Sequence, residues 1–223
     1  MTKELYSREF YSDTSDGSYC SASVILPLVL EQKNIRSIVD FGCGLGTWLK
    51  VAAERGISDY LGLEGEWVDD DMFWIPKEKI RHIDLAKPIN LHRQFDLAMC
   101  LEVAEHLPAA CADNLIDSIT SAAPLVLFSA AIPLQAGSGH INVQWQDYWA
   151  ELFAKRNFAA VDSIRPLVWN NPSVQWWYQQ NVLLFSKQNS TFEQLRSLNM
   201  VHPQLVKELV IWFENQYGNQ ITM

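Results

Sequence analysis

Three glycines at alternate positions, Gly42, Gly44 and Gly46, constrain this chain more than any other feature. An apolar run before them, Ile35 to Val39, reads as a buried strand, and Thr47 to Arg55 after them reads as a helix ended by Gly56. The glycines let the main chain take positive φ and come close to a ligand, while the helix start behind them offers unpaired N–H groups. Such a site suits a nucleotide-like cofactor. The dinucleotide fingerprint G-x-G-x-x-G needs glycine at 47, where this chain has Thr47, and an acid, Asp40, precedes the loop. An NAD-linked oxidoreductase is disfavoured on that ground.

Downstream the apolar pattern alternates between strand and helix. Strands are expected at Tyr60 to Leu63, Lys79 to Ile83, Phe95 to Cys100, Pro124 to Ile132, near Phe158 to Ile164, and at Asn181 to Lys187. Helical spacing marks Ser21 to Gln32, with Pro27 near its start or kinking it, and Ala109 to Ala122. It recurs in the stripe Trp145, Tyr148, Trp149, Leu152 and Phe153 and in the tail from Pro203 to Phe213. The segment between Glu66 and Trp74 is too short for a full crossover helix. This pattern predicts an α/β, doubly wound, mainly parallel sheet with ligands at the carboxyl ends of strands one to four. Three parts are expected: an N-terminal arm and helix over 1–34, a core over 35–188, and a helical tail over 189–223 packed on the same domain. In the arm, Ser12 to Gly17 reads as a turn, and the arm either packs on the core or covers the cofactor as a flap.

Composition narrows the partners. A chain of 223 residues with 48% apolar residues can bury a sizeable core. Its net charge of −9, without clustered Lys and Arg, argues against nucleic acid and for a small molecule, sugar or protein partner. The four cysteines form no C-x-x-C pair, which fits a reducing cytoplasm, and no apolar run is long enough to span a membrane. The sequence does not set the oligomeric state.

Four motifs stand at the expected strand ends: the glycine loop with Asp40, Glu64, the pair Asp84-Leu85, and Phe95-Asp-Leu-Ala-Met-Cys-Leu-Glu-Val-Ala-Glu-His-Leu-Pro108. Together, over about residues 20 to 187, they resemble the class I S-adenosylmethionine (SAM) methyltransferases. The resemblance implies a Rossmann-like fold of seven strands with the last antiparallel between the fifth and sixth. It implies Gly42, Gly44 and Gly46 around the methionine moiety, Glu64 on the ribose, Asp84 and Leu85 on the adenine, and Leu101 near the amino acid end. Asp40 would brace the loop, and Trp67 either lies on the adenine or covers the sheet. The product is S-adenosylhomocysteine.

Methyl transfer to an aliphatic hydroxyl needs a base or a metal ion. Glu102-x-x-Glu105-His106 leaves the fourth strand and His140 follows the fifth. This set is similar to the metal-binding residues of small-RNA 3′-terminal 2′-O-methyltransferases, and its first part to ubiquinone-pathway O-methyltransferases. The likeness implies Glu102, Glu105, His106 and His140 on Mg²⁺ or another divalent ion. The other reading keeps the site metal-free, with His140 and His106 as catalytic groups and His140 as base or substrate ligand. The aromatic stretch Trp169 to Tyr178 is either an acceptor lid or packing on the sheet. Three functions follow: O-methylation of a sugar or small metabolite, N-methylation of an amine, or a SAM-binding subunit without catalysis.

Overall fold

Every residue of the strands Leu97–Leu101 and Leu125–Ser129 is buried, so both faces of the sheet they centre have to be covered. The computed structural model describes residues 8–32, 34–188 and 198–217. In chain order α1 (Arg8–Gln32) leads to β1 (Ser37–Phe41), α2 (Thr47–Glu54), β2 (Asp59–Glu64) and β3 (Ile80–His82). Then come β4 (Leu97–Leu101), α3 (Ala112–Ala122), β5 (Leu125–Ser129), α4 (Gln146–Ala154) and β6 (Phe158–Val161). The chain ends in α5 (Arg165–Val168), α6 (Trp176–Asn181), β7 (Leu183–Lys187) and α7 (Pro203–Tyr217).

The seven strands form one sheet in the order β3-β2-β1-β4-β5-β7-β6. Strands β1 to β5 pair in parallel, while β7 runs antiparallel between β5 and β6, as the sequence led us to expect. Alternate residues divide the core into two layers. Val39, Phe41, Ala98, Cys100, Val126 and Phe128 face α3 and α4, whose Leu115, Ile116, Ile119, Trp149 and Phe153 meet them. Ile38, Leu97, Met99, Leu125 and Leu127 face the other way, onto Ile25, Leu26 and Val29 of α1 and Leu49 and Ala52 of α2. The short link between β2 and β3 carries two single 3₁₀ turns, Asp70–Met72 and Lys77–Lys79.

The main departure from expectation lies at the N-terminus. Ser12 to Gly17 is helical within α1, which is 25 residues long with Pro27 inside it. Turn-forming residues stay helical here because tertiary packing supplies what propensity lacks. Ser21 Oγ donates to Gly17 O at 2.7 Å and Ser23 Oγ to Tyr19 O at 2.9 Å, so these hydroxyls are satisfied by the helix itself. Gly17 lets the Gln175 side chain lie against α1; a Cβ there would stand 2.4 Å from its Nε2. In α7, Leu205 is buried while Val210, Trp212 and Phe213 are exposed, and no helix among the described residues is long and apolar enough to cross a membrane.

Candidate active site

The carboxyl ends of β1, β2, β4 and β5 open into one cavity of about 370 Å³. Its floor is the glycine loop. After β1 the chain turns up at Gly42, whose φ of 79° favours glycine and whose N–H donates to Leu63 O at 2.8 Å. Gly46 has the same φ of 79° and closes the turn, its N–H donating to Cys43 O at 2.8 Å. Gly42 and Gly44 line the cavity with Thr47 and Trp48, whereas Gly46 shapes the loop from behind, with Ile75 packed against it. A Cβ on Gly42 would stand 2.5 Å from Val103 Cγ2. Gly42→Ala therefore destabilises the protein by about 1–3 kcal/mol through backbone strain and overlap, measured as a fall in denaturation midpoint. An unchanged midpoint would contradict this packing.

Two buried carboxyls stand at the loop. Glu64 Oε2 accepts from Gly44 N at 2.7 Å and Oε1 from Gly65 N at 2.8 Å. Burial pushes its pKa up to about 7, and those two N–H groups pull the other way. Asp40 is pushed up to about 7 by burial and by neighbouring Glu64. Both groups keep their protons when folded at pH values where the unfolded chain has already lost them. Their contribution to stability is full below the ordinary carboxylate range and is lost as pH rises towards 7. Stability of the ligand-free protein should therefore fall from pH 5 to pH 7, by up to about 2–3 kcal/mol per pH unit for the two groups together, and the thermal midpoint should fall with it. A midpoint that rises over this window would refute the shared burial of the pair.

Leu85 and Leu101 line the cavity, as does Trp67, which lies flat against Gly65. Asp84 does not line it. Its carboxylate accepts from Ala86 N at 3.0 Å and pairs with Lys87 at 3.1 Å, which holds its pKa below the usual range. The local turn has claimed the side chain.

The motif after β4 splits into two groups. Glu105, His106 and His140 place ligand-type atoms within 4.8 Å of one another. Glu105 is fully buried, with Oε1 accepting from Ala131 N at 3.1 Å and its carboxyl beside that of Glu102. Burial and the Glu102 carboxylate push its pKa well up. His106 is lowered to about 4 by burial and by His140, and burial lowers His140 too, so both imidazoles are neutral near pH 7. Their rings meet edge to face at 4.9 Å, and both line the cavity. One carboxyl and two neutral imidazoles within 4.8 Å of one another are a donor set that fits a divalent cation, and two nitrogens suit Mn²⁺, Fe²⁺ or Zn²⁺ better than Mg²⁺.

Glu102 is outside that group. Its φ of 54° is left-handed and strained for a residue with a Cβ, and its N–H donates to Ser129 O at 3.0 Å. Its carboxylate accepts from Gln135 Nε2 at 3.2 Å and Asn181 Nδ2 at 3.2 Å, and burial raises it to about 7.

The sequence reading missed part of the wall. Ser15 and Ser18 of α1 line the cavity, and Ser18 Oγ lies 3.2 Å from Tyr178 Oη. The flap reading of the arm pointed to this place, although the segment is helical. Trp176, Trp177 and Tyr178 continue this wall beside α1, while Trp169 is turned to His202. Gln135 also lines the cavity, at the start of the loop that carries His140.

A doubly wound sheet in this strand order, with a glycine loop at the end of β1, defines a class I, Rossmann-like, SAM-dependent methyltransferase. Residues 16–163 match the methyltransferase domain family, and the chain belongs to it. It is an enzyme whose cofactor is SAM. No curated protein matches the chain in sequence. Among solved structures, it resembles CalS10 of Micromonospora echinaspora, an amino pentose methyltransferase bound to SAM. That match has a TM-score of 0.60 and 12% identity over 80% of this chain and 97% of that one. Magnesium protoporphyrin IX methyltransferase of Synechocystis with bound SAH gives a TM-score of 0.55 and 18% identity over 77% and 84% of the two chains. The small RNA methyltransferase HEN1 gives 0.54 and 15% identity, over 76% of this chain and 25% of that one. At these identities the likeness is one of fold.

Proposed function

We propose that the enzyme methylates a hydroxyl of a small, sugar-like acceptor, with His140 taking the hydroxyl proton. The observation that carries this reading is the pair of imidazoles, His106 and His140, kept neutral by burial in the same cavity as the glycine loop. A neutral imidazole can accept a proton at physiological pH. The acceptor oxygen attacks the methyl carbon in line, the carbon–sulfur bond breaks, and the sulfonium becomes the neutral thioether of S-adenosylhomocysteine. Gly42 and Gly44 would lie against the methionine moiety with Gly46 shaping the loop, Glu64 would accept from the ribose hydroxyls, and Leu101 would border the amino acid end. Asp84 reaches the adenine only by releasing Ala86 and Lys87, so Leu85 carries that contact.

The acceptor class rests on the rest of the wall. Trp176 and Trp177 offer aromatic faces on which the C–H faces of a sugar can stack. Among the described residues no Lys or Arg lines the cavity, which disfavours RNA and phosphorylated acceptors. The amino pentose acted on by CalS10 is a relative's substrate of the same general class. A second reading, favoured by the Glu105, His106 and His140 cluster, adds a divalent ion held by those three residues that would acidify the acceptor hydroxyl. The test is incubation with methyl-labelled SAM and a panel of hydroxylated and amino sugars, with products identified by mass spectrometry and NMR. Methyl ethers support the proposal, and N-methyl products alone overturn it. Activity that survives chelation and dialysis removes the metal.

A further inference from the structure

His140 Nδ1 lies 3.1 Å from the main-chain oxygen of Gln135. A carbonyl oxygen only accepts, so Nδ1 carries the hydrogen and, in the neutral ring, Nε2 carries the lone pair. The ring itself lies over Gly137, where a Cβ would stand 2.2 Å from both Cε1 and Nε2. The orientation of this imidazole thus depends on where the loop holds the Gln135 carbonyl.

The Gln135 side chain holds it. The residue is buried, and its amide uses both ends: Nε2 donates to Glu102 Oε2 at 3.2 Å, and Oε1 accepts from Gln180 Nε2 and Asn181 Nδ2, each at 3.0 Å. Asn181 also donates to Glu102 Oε1 at 3.2 Å, and Gln180 Nε2 reaches Asn181 Oδ1 at 3.0 Å. Oε1 further receives Ile132 N at 3.4 Å. The donors and acceptors of the amide are therefore matched from three directions, by the ends of β4, β5 and α6. No alternative rotamer offers as much, because a flipped amide would set its NH₂ against two other NH₂ groups and its oxygen against a carboxylate.

We propose that Gln135 is a positioning residue whose carbonyl fixes His140 as the Nδ1–H tautomer, and whose side chain anchors that carbonyl by tying the loop to Glu102, Gln180 and Asn181. Glu102 then acts in this network as the acceptor that orients Gln135. The inference rests on the proposed role of His140 only for its effect on turnover; the tautomer is a property of the fold.

The experiment is long-range ¹⁵N–¹H correlation NMR of the imidazoles in the full chain, with His140→Gln assigning the signal, alongside kinetics of Gln135→Met. Methionine has nearly the same volume and neither end of the amide. The expected result is a neutral Nδ1–H His140 in the wild type. In Gln135→Met the two tautomers mix and kcat falls about tenfold or more, as when other partners that orient an imidazole are removed, while KM for SAM is unchanged. Gly137→Ala, which displaces the ring and leaves the amide network intact, should reproduce both changes. A wild-type Nε2–H tautomer overturns the proposal, and so does a Gln135→Met protein with the wild-type tautomer and kcat. Should Gln135→Met fail to fold, the wild-type tautomer and the Gly137→Ala response still decide. If His140→Ala kept full turnover while the wild-type tautomer was Nδ1–H, the base assignment would fail and the positioning of the ring would stand.

Discussion

His140→Ala lowers kcat by roughly a hundredfold to ten-thousandfold, the range for loss of a general base, while the Kd for SAM stays within twofold or so. The split is expected because His140 is separated from the cofactor residues in role: it lines the cavity from the loop after β5, whereas Glu64 and the glycines come from β1 and β2. Single-turnover kinetics with a saturating acceptor and calorimetric titration with SAM measure the two quantities independently. His140→Gln keeps a polar group of similar reach without the basic nitrogen, so it should lose as much as alanine. Wild-type turnover in both variants would remove His140 from the chemistry.

Glu64→Ala acts on the other half. It strips the acceptor from the Gly44 and Gly65 N–H groups and removes the carboxylate proposed to meet the ribose, at a cost of about 3 kcal/mol, or roughly a hundredfold in Kd for SAM. Glu64→Gln retains one acceptor oxygen and should lose about tenfold, with each hydrogen bond to a charged group worth about 1.5 kcal/mol or more. The acceptor KM, measured at saturating SAM, should not follow. If Glu64→Ala bound SAM as the wild type does, the cofactor would lie elsewhere in the cavity.

The parts of this fold visible in the sequence were those encoded by neighbours along the chain. The glycine loop and the strand and helix alternation express local period and turn chemistry, and each is found within a few residues of its expected place, whereas the antiparallel β7 was expected only from the family resemblance. Tyr60 to Leu63 extends to Asp59–Glu64, while Lys79 to Ile83 shrinks to Ile80–His82 at the sheet edge. The fold brings Glu105, His106 and His140, which the sequence reading groups with Glu102, within 4.8 Å of one another. The sequence did not show that Glu102, although beside Glu105, is also bound by amides of Gln135 and Asn181, because these lie 33 and 79 residues further along. Asp84 was diverted by the opposite cause, a bond only two residues long to Ala86 N. Ser12 to Gly17 misled for a third reason: its helix is held by packing on α2 and by Gln175, which no window of local sequence contains.

The way the chain lines the cavity has a consequence for how such an enzyme can be altered. Most of the cavity is built by two stretches of chain, 40 to 106 with the cofactor groove and the first histidine and 135 to 178 with the second histidine and the aromatic wall, to which α1 adds Ser15 and Ser18 and α7 adds Glu208. The two stretches meet at several points: His106 stands edge to face with His140, the N–H groups of Ile141 and Asn142 donate to Glu105 O, Tyr178 packs on Trp48, and the Gln135 and Asn181 amides donate to Glu102. Exchanging the later stretch between homologous scaffolds should therefore change the acceptor without rebuilding the donor groove only where the residues at these contacts, the Glu102 and Gln135 pair among them, travel as a unit.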